Sequence, residues 1–136
     1  MNALEEGPTL QLDWSKLETI AEQRMGVIPV AVQHAETREV ILVAYVNQEA
    51  LDMSIATRTL TFWSTSRNKL WVKGQTSGDT FALVDVYVNC EQNSLLFTVR
   101  PRREGICHTN NRRGRPRNCF HRRLNLETRE LENLDP

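Results

Sequence analysis

The architecture is decided in residues 81–100, FALVDVYVNCEQNSLLFTVR. Side chains alternate along a strand, so Val84, Val86, Val88 and Cys90 share one face and Asp85, Tyr87 and Asn89 the other. Gln92-Asn93 makes a tight turn, and residues 94–100 run back beside the first strand. The same period recurs upstream. Residues 27–33 form a β-rich run, where Pro29 predicts an edge strand because proline cannot donate to a ladder. Residues 34–39 are polar turn material, and Val40–Val46 completes a second hairpin. Residues 60–64 and 70–73 are a third strand pair around the turn Ser66-Arg67-Asn68-Lys69, ended by Gly74. Two helices are predicted. One spans residues 13–24, with Asp13 as N-cap and Trp14, Leu17, Ile20 and Ala21 at helical spacing; the other follows Asn47 and carries Ala50, Leu51, Met53 and Ile55. Residues 101–118 are a long irregular segment, the kind of loop that is often functional. Residues 119–124 are a short strand expected to close the sheet, and residues 126–134 a marginal helix or frayed tail. The expectation is an α+β domain, small and mostly antiparallel, with one or two short helices. It would comprise a flexible N-terminus (1–11), the domain itself (12–124) and a C-terminal tail (125–136).

With 136 residues the chain is one domain. Acidic and basic residues balance at 17 each, so no global field draws in nucleic acid or a membrane surface. The arginines are uneven all the same: nine lie between Arg100 and Arg123, with Glu104 the one acid in that window. No apolar run approaches the ~18 residues of a membrane span, and MNALEEGPTL lacks the basic-then-apolar order of a secretory signal. A cytoplasmic protein is expected. There thiols stay reduced, and three cysteines point to metal binding or catalysis rather than disulfides.

Cys90 ends the best strand. Cys107 and Cys119 flank the long loop, His108 follows Cys107, and His121 lies two positions after Cys119. Three soft thiolates favour zinc or an iron–sulfur cluster. Three protein ligands leave one zinc position open for water, as in catalytic sites; a closed structural site would take His108 or His121 as its fourth ligand. Spacing alone leaves another reading open, in which Cys90 is a small buried hydrophobe and the others are loop thiols.

A family resemblance adds to this. FWSTSRNKLWVKGQTSGD (residues 62–79), CHT followed by CF, IPVAVQHAETREVILVAYVNQEAL, and LDW at Leu12 together resemble the phosphoribosyl-AMP cyclohydrolases. The likeness runs from about Leu12 to Arg123. It implies a cytoplasmic homodimer of histidine biosynthesis that adds water to C6 of the purine in N1-(5-phosphoribosyl)-AMP and breaks the N1–C6 bond. It implies Zn2+ held by Cys90, Cys107 and Cys119, with ligands drawn from both subunits, and His108 as general base. It also implies a substrate cradle. In that cradle Ser64, Ser66, Arg67, Lys69, Lys73, Thr76 and Ser77 supply donors for phosphate oxygens. Trp63 or Trp71 stacks on the purine, and Gly74 and Gly78 let backbone amides approach a phosphate. Otherwise the block is a polar hairpin with ordinary surface charge. The pyrophosphohydrolase domain sometimes fused to this family has no counterpart, so a single activity is expected.

The sequence departs from the family pattern in three places. Asp-Cys-Asp-x-Asp, whose acids bind Mg2+, is Asn89-Cys90-Glu91-Gln92-Asn93 here, so the magnesium site is weakened, moved or lost. The acid preceding Thr-Ser-Gly is Gln75. Eleven residues separate the last two cysteines where the family usually has six, and the insertion NNRRGRPRN brings four arginines. Arginine in the phosphate-neutralising role of a divalent ion is one implication. A paralogous zinc hydrolase acting on another purine nucleotide is a second, and a zinc-stabilised module binding nucleic acid through the arginine loop a third.

Overall fold

The computed structural model describes residues 2–103, 106 and 109–136. The elements in chain order are α1 (Ala3–Glu6), α2 (Lys16–Glu22), β1 (Ile28–His34), β2 (Val40–Val46), α3 (Gln48–Thr57), β3 (Thr61–Ser64), β4 (Lys69–Val72), β5 (Phe81–Val88), β6 (Leu95–Pro101), β7 (Arg122–Leu124) and β8 (Leu131–Asn133). Four strands form the main sheet in the order β2-β1-β6-β5; β3–β4 and β7–β8 are separate antiparallel pairs. In the main sheet β1 pairs with β6 in parallel, and the β1–β2 and β5–β6 ladders are antiparallel. This is the small, mostly antiparallel α+β domain that the sequence predicts. Among the described residues no helix is long and apolar enough to cross a membrane.

The hairpin of residues 81–100 carries a feature that simple alternation misses. Leu83 pairs with Val99, but Asp85 pairs with Thr98, so Val84 is one residue too many on β5. A β-bulge of this kind changes the parity of the strand. Phe81 and Leu83 face the core before it, and Val86, opposite Phe97, faces the core after it. The Asp85 N–H displaced by the bulge donates to Oγ1 of the buried Thr98 at 3.1 Å. Val88 continues the core face opposite the buried Leu95 yet is 54% exposed, so the apolar side of β5 outruns the core.

Val30 and Val32 of β1, Leu42 and Val46 of β2, and Leu95, Phe97 and Val99 of β6 line the inner face of the sheet. The α3–β3 segment packs on it through Ala50, Leu60 and Phe62. Asn47 caps α3 as expected, its side chain accepting from Ala50 N–H at 2.9 Å. Ser54, on the inner side of α3, ties the helix to β3. Its Oγ accepts from Thr61 N–H and lies within reach of the carbonyls of Ala50 and Thr61, all at 2.9 Å.

Several expectations need correction. Pro29 does not mark an edge: β1 is an interior strand, and Pro29 is tolerated because the ladder to β6 begins one residue later, at Val30. The first long helix begins at Lys16, not at residue 13. Asp13 Oδ1 accepts from Ser15 N–H and Oγ–H, making a local turn instead of a cap. The tail is a hairpin rather than a helix, because Asn125 Oδ1 accepts from Glu127 and Thr128 N–H and reverses the chain into β8. Consequently β7 pairs with β8 and does not close the main sheet. The N-terminal segment, expected to be loose, is held at several points. Arg122 donates to the carbonyls of Leu4 and Gly7 at 2.9 and 3.0 Å, and Leu131 N–H donates to Pro8 O at 2.8 Å.

Candidate active site

The β3–β4 hairpin presents the cradle residues. Phe62 pairs with Trp71 and Trp63 with Leu70, which puts Phe62 into the core and its ring centroid 5.6 Å from that of Trp71. An open cleft of about 390 Å³ lies beside the hairpin, lined by Trp63, Ser64, Ser66, Arg67 and Trp71 from the predicted block. Ser64 Oγ accepts from Arg67 N–H at 3.3 Å and Nε–H at 3.4 Å, and the Arg67 guanidinium lies 6.0 Å from the Trp71 ring centre. The indole Nε1 of Trp63 is buried without a hydrogen-bond partner among the described residues. Two residues that the sequence did not single out complete the wall: Tyr45 of β2 and Lys16 of α2, whose ammonium lies 6.0 Å from the Tyr45 ring centre. Nothing local marks them. Tyr45 reads as an ordinary strand residue and Lys16 as a helix surface residue; the packing of β3 beside β2 brings Tyr45 to the cleft, and Lys16 reaches it over the Tyr45 ring. No acid is among its described lining residues. Aromatic walls with cations at the rim suit a flat ring carrying phosphate.

The rest of the block lies elsewhere. Lys69 opens β4 and is exposed, outside the lining of the cleft. Lys73 follows β4, with its ammonium 5.4 Å from the Phe81 ring centre. Thr76 and Ser77 sit in a tight loop whose glycines serve its shape. Gly74 has φ +78° and Gly78 has φ +83°, a region that L side chains avoid. A Cβ on Gly74 would come 2.1 Å from Asp79 O. The Gly78 N–H donates to Gly74 O at 2.7 Å, so it is engaged in the loop and does not face a phosphate as expected. Arg103 closes the outside of this loop, lying against Gly78 and donating to Ser77 O at 3.4 Å.

Most of the arginine cluster also works within the chain. Arg100 pairs with Glu36 and Arg123 with Glu132, while Arg102 donates to Thr59 Oγ1 and Arg58 O. Arg117 is only 5% exposed. Its Nη1 is 2.5 Å from Glu6 Oε1 and its Nε donates to Asp135 O at 2.7 Å. The Arg117 hydrogen bond holds the Glu6 carboxyl below its ordinary value of 4.5. The insertion folds back on itself, Asn111 Oδ1 accepting from Arg113 and Arg115 N–H, so Arg112, Arg113 and Arg115 form its exposed tip. Of its four arginines, Arg117 is a structural clasp rather than a phosphate ligand. With so many guanidiniums paired internally, the nucleic-acid reading loses its main support.

Cys90 is exposed in the turn after β5. Cys119 is exposed too and lines a second cleft of about 350 Å³ with Leu4, Leu10, Leu12, Phe120 and Arg122; this cleft shares no lining residue with the first. Cys107 and His108 lie outside the described residues. Among those described, no three His, Cys, Asp or Glu side chains gather in a way that could hold a metal ion. His121 is 6% exposed. Its Nδ1 lies within hydrogen-bond reach of Asn118 O at 3.1 Å, and its buried Nε2 has no partner among the described residues. Asn89, Glu91 and Asn93 do come together, in hydrogen bonds with one another.

A profile described as phosphoribosyl-AMP cyclohydrolase matches residues 42–121. The chain is 41% identical over 103 residues to a phosphoribosyl-AMP cyclohydrolase of Nitrosopumilus maritimus, covering 76% of this chain and 90% of that one. It is 40% identical over 99 residues to one of Archaeoglobus fulgidus, covering 73% and 86%. It is also 42% identical over 108 residues to the histidine biosynthesis bifunctional protein HisIE of Thermus thermophilus; that match takes in 79% of this chain but only 48% of the bifunctional relative. From the breadth of these matches, the chain belongs to the phosphoribosyl-AMP cyclohydrolase family.

Proposed function

We propose that the chain is a zinc-dependent cytoplasmic homodimer that opens the adenine ring of N1-(5-phosphoribosyl)-AMP at the N1–C6 bond, giving the formimino-aminoimidazole carboxamide ribonucleotide of histidine biosynthesis. The observation that carries this reading, beside family membership, is the cleft with aromatic walls, cations from two elements and no acid among its described lining residues. Zinc fits the donor set: thiolates are soft ligands, and Cys90 and Cys119 are both exposed rather than buried in the core. When bound, zinc supplies a water acidified towards neutrality.

The chain's own groups account for the rest. Trp63 or Trp71 stacks on the purine, and Arg67 and Lys16 take phosphate oxygens with help from the Ser64 hydroxyl. His108 accepts the proton released as water adds to C6 and delivers one to N1 as the N1–C6 bond breaks, a task suited to a group with pKa near ~6.5. Assembly as a homodimer is supported by the open outer face of the sheet. Val43, Ala31, Leu96 and Tyr87 are in register across all four strands, and Val43 and Tyr87 at the two ends are 54% and 51% exposed. Trp14, just before α2, and Leu17, within it, are 84% and 67% exposed. The separation of the cradle from the Cys119 cleft within one chain fits a site assembled from two.

The test is turnover of phosphoribosyl-AMP by zinc-loaded protein, followed by the change in ultraviolet absorbance on ring opening. The expected result is turnover that Cys107→Ala abolishes, with about one zinc per chain, as the three-ligand site requires, lost in the cysteine variants. Lys16→Gln should raise KM about tenfold, the effect of losing one charge-assisted hydrogen bond. Zinc-loaded wild type without turnover would reject the proposal.

A further inference from the structure

The turn that carries Cys90 has a hydrogen-bond arrangement that bears on its metal chemistry. Asn89 Oδ1 accepts from Asn93 N–H at 3.0 Å and Ser94 N–H at 2.9 Å, so both of its lone-pair directions are engaged. Asn89 Nδ2 donates to Asn93 Oδ1 at 2.6 Å, and Asn93 Nδ2 donates to Glu91 Oε2 at 3.3 Å. The chain of donors and acceptors thus runs from the backbone through Asn89 and Asn93 to Glu91. Gln92 turns the backbone with φ +55°, its N–H donating to Asn89 O at 3.0 Å.

We infer that this turn is closed by side-chain amides where a divalent cation would otherwise bridge acids, and that the chain has no magnesium site here. A hard cation such as Mg2+ needs carboxylate oxygens in near-octahedral array. Here the three side chains carry one formal negative charge, and Asn89 Oδ1, Asn93 Oδ1 and Glu91 Oε2 already accept hydrogen bonds. To bind, the ion would have to break the Asn89–Asn93 bond in exchange for two neutral carbonyls and one carboxylate. Acids at positions 89 and 93 would behave in the opposite way. The Nδ2 donors would vanish, and carboxylate oxygens would stand where the 2.6 Å amide contact now lies, beside Glu91. Such a trio repels itself unless a cation sits between its members. The amides hold the turn, and with it the position of Cys90, in the absence of any second metal.

The test uses the zinc-loaded full chain, dialysed into magnesium-free buffer without chelator so that zinc is retained. The midpoint of thermal unfolding is read as MgCl2 is added to about ten millimolar. Wild type should move by less than about 1 °C. Asn89→Asp/Asn93→Asp should melt lower without magnesium and recover by roughly 3–6 °C with it, the shift expected when a ligand at several times its Kd binds only the folded state. The single variant Asn93→Asp serves the same comparison if the double variant does not fold. A wild type stabilised by MgCl2 as much as the double variant would overturn the inference. So would an Asp variant as stable as wild type and indifferent to the ion. The inference takes its setting from the cyclohydrolase reading but is read out on stability, so failure to turn over phosphoribosyl-AMP would leave this test standing.

Discussion

Removing the hydroxyl of Ser54 should weaken the junction that presents the substrate hairpin. Ser54 is fully buried, and Thr61, which it contacts, is 1% exposed. The hydroxyl has one proton to share between the carbonyls of Ala50 and Thr61, and it accepts from Thr61 N–H. In Ser54→Ala the Thr61 amide is left without this acceptor in a place water does not reach, and a carbonyl loses a donor. A buried unsatisfied donor costs about 1–3 kcal/mol, and with the weakened carbonyl we expect about 2–3 kcal/mol in all. Unfolding entropy of about 2.1 cal/mol/K per residue over 136 residues is about 0.29 kcal/mol/K, so the midpoint should fall by about 7–10 °C. Differential scanning calorimetry measures the shift, and amide exchange at Thr61 should accelerate more than exchange in β1. Thr57→Ala is the control. Its Oγ1 bonds Met53 O at 2.7 Å on an exposed surface, and its loss should stay within about 0.5 kcal/mol. A Ser54→Ala midpoint within about 2 °C of wild type would show that water or a shifted backbone satisfies Thr61, and the reasoning would fail.

The two loop glycines should respond unequally. Gly74→Ala would set a methyl against the Asp79 backbone and disrupt the loop, whereas Gly78→Ala meets the mobile end of Arg103 and should cost about 1 kcal/mol of left-handed strain, both measurable by denaturant unfolding. The Glu6–Arg117 clasp should weaken in acid. Because the Glu6 carboxyl is held below 4.5 when folded, its contribution is fully present above that value and is lost as pH falls through the lower folded value. Glu6→Gln should accordingly flatten the dependence of the unfolding midpoint on pH below about 4.5, and a variant with the wild-type acid slope would dismiss the clasp.

Where structure depends on neighbours in sequence, it was legible. Val40–Val46 and the Asn47-capped helix stand as read, because a hairpin and an N-cap are settled within a few residues. The bulge at Val84 was not, since Val84 and Val86 alternate as smoothly as an uninterrupted strand; only the pairing with Thr98 shows the extra residue. The tail is a hairpin and not a marginal helix because the side chain of Asn125 reverses the chain. The site divides in the same way. The hairpin block is legible as a unit, and five of its predicted binding residues line one cleft. Lys16 and Tyr45 were hidden because they reach that cleft from separate elements. The positive φ of Gly74 and Gly78 is a need of the loop itself that the sequence pattern does not reveal.

The parallel contact between β1 and β6 has a kinetic consequence. Val30 pairs with Leu95, 95 − 30 = 65 positions apart, whereas every other ladder in the sheet joins consecutive strands. The β1–β2 and β5–β6 hairpins close short loops and can form early, but joining them requires closure of the whole intervening chain, the slow class of event in folding. That intervening chain holds α3 and the β3–β4 hairpin, so the substrate block is a loop anchored at both ends in the last ladder to form. Substitutions in the β1–β6 ladder should retard refolding more than equal losses of stability in either hairpin, and the block should acquire its native protection only when the two halves of the sheet dock.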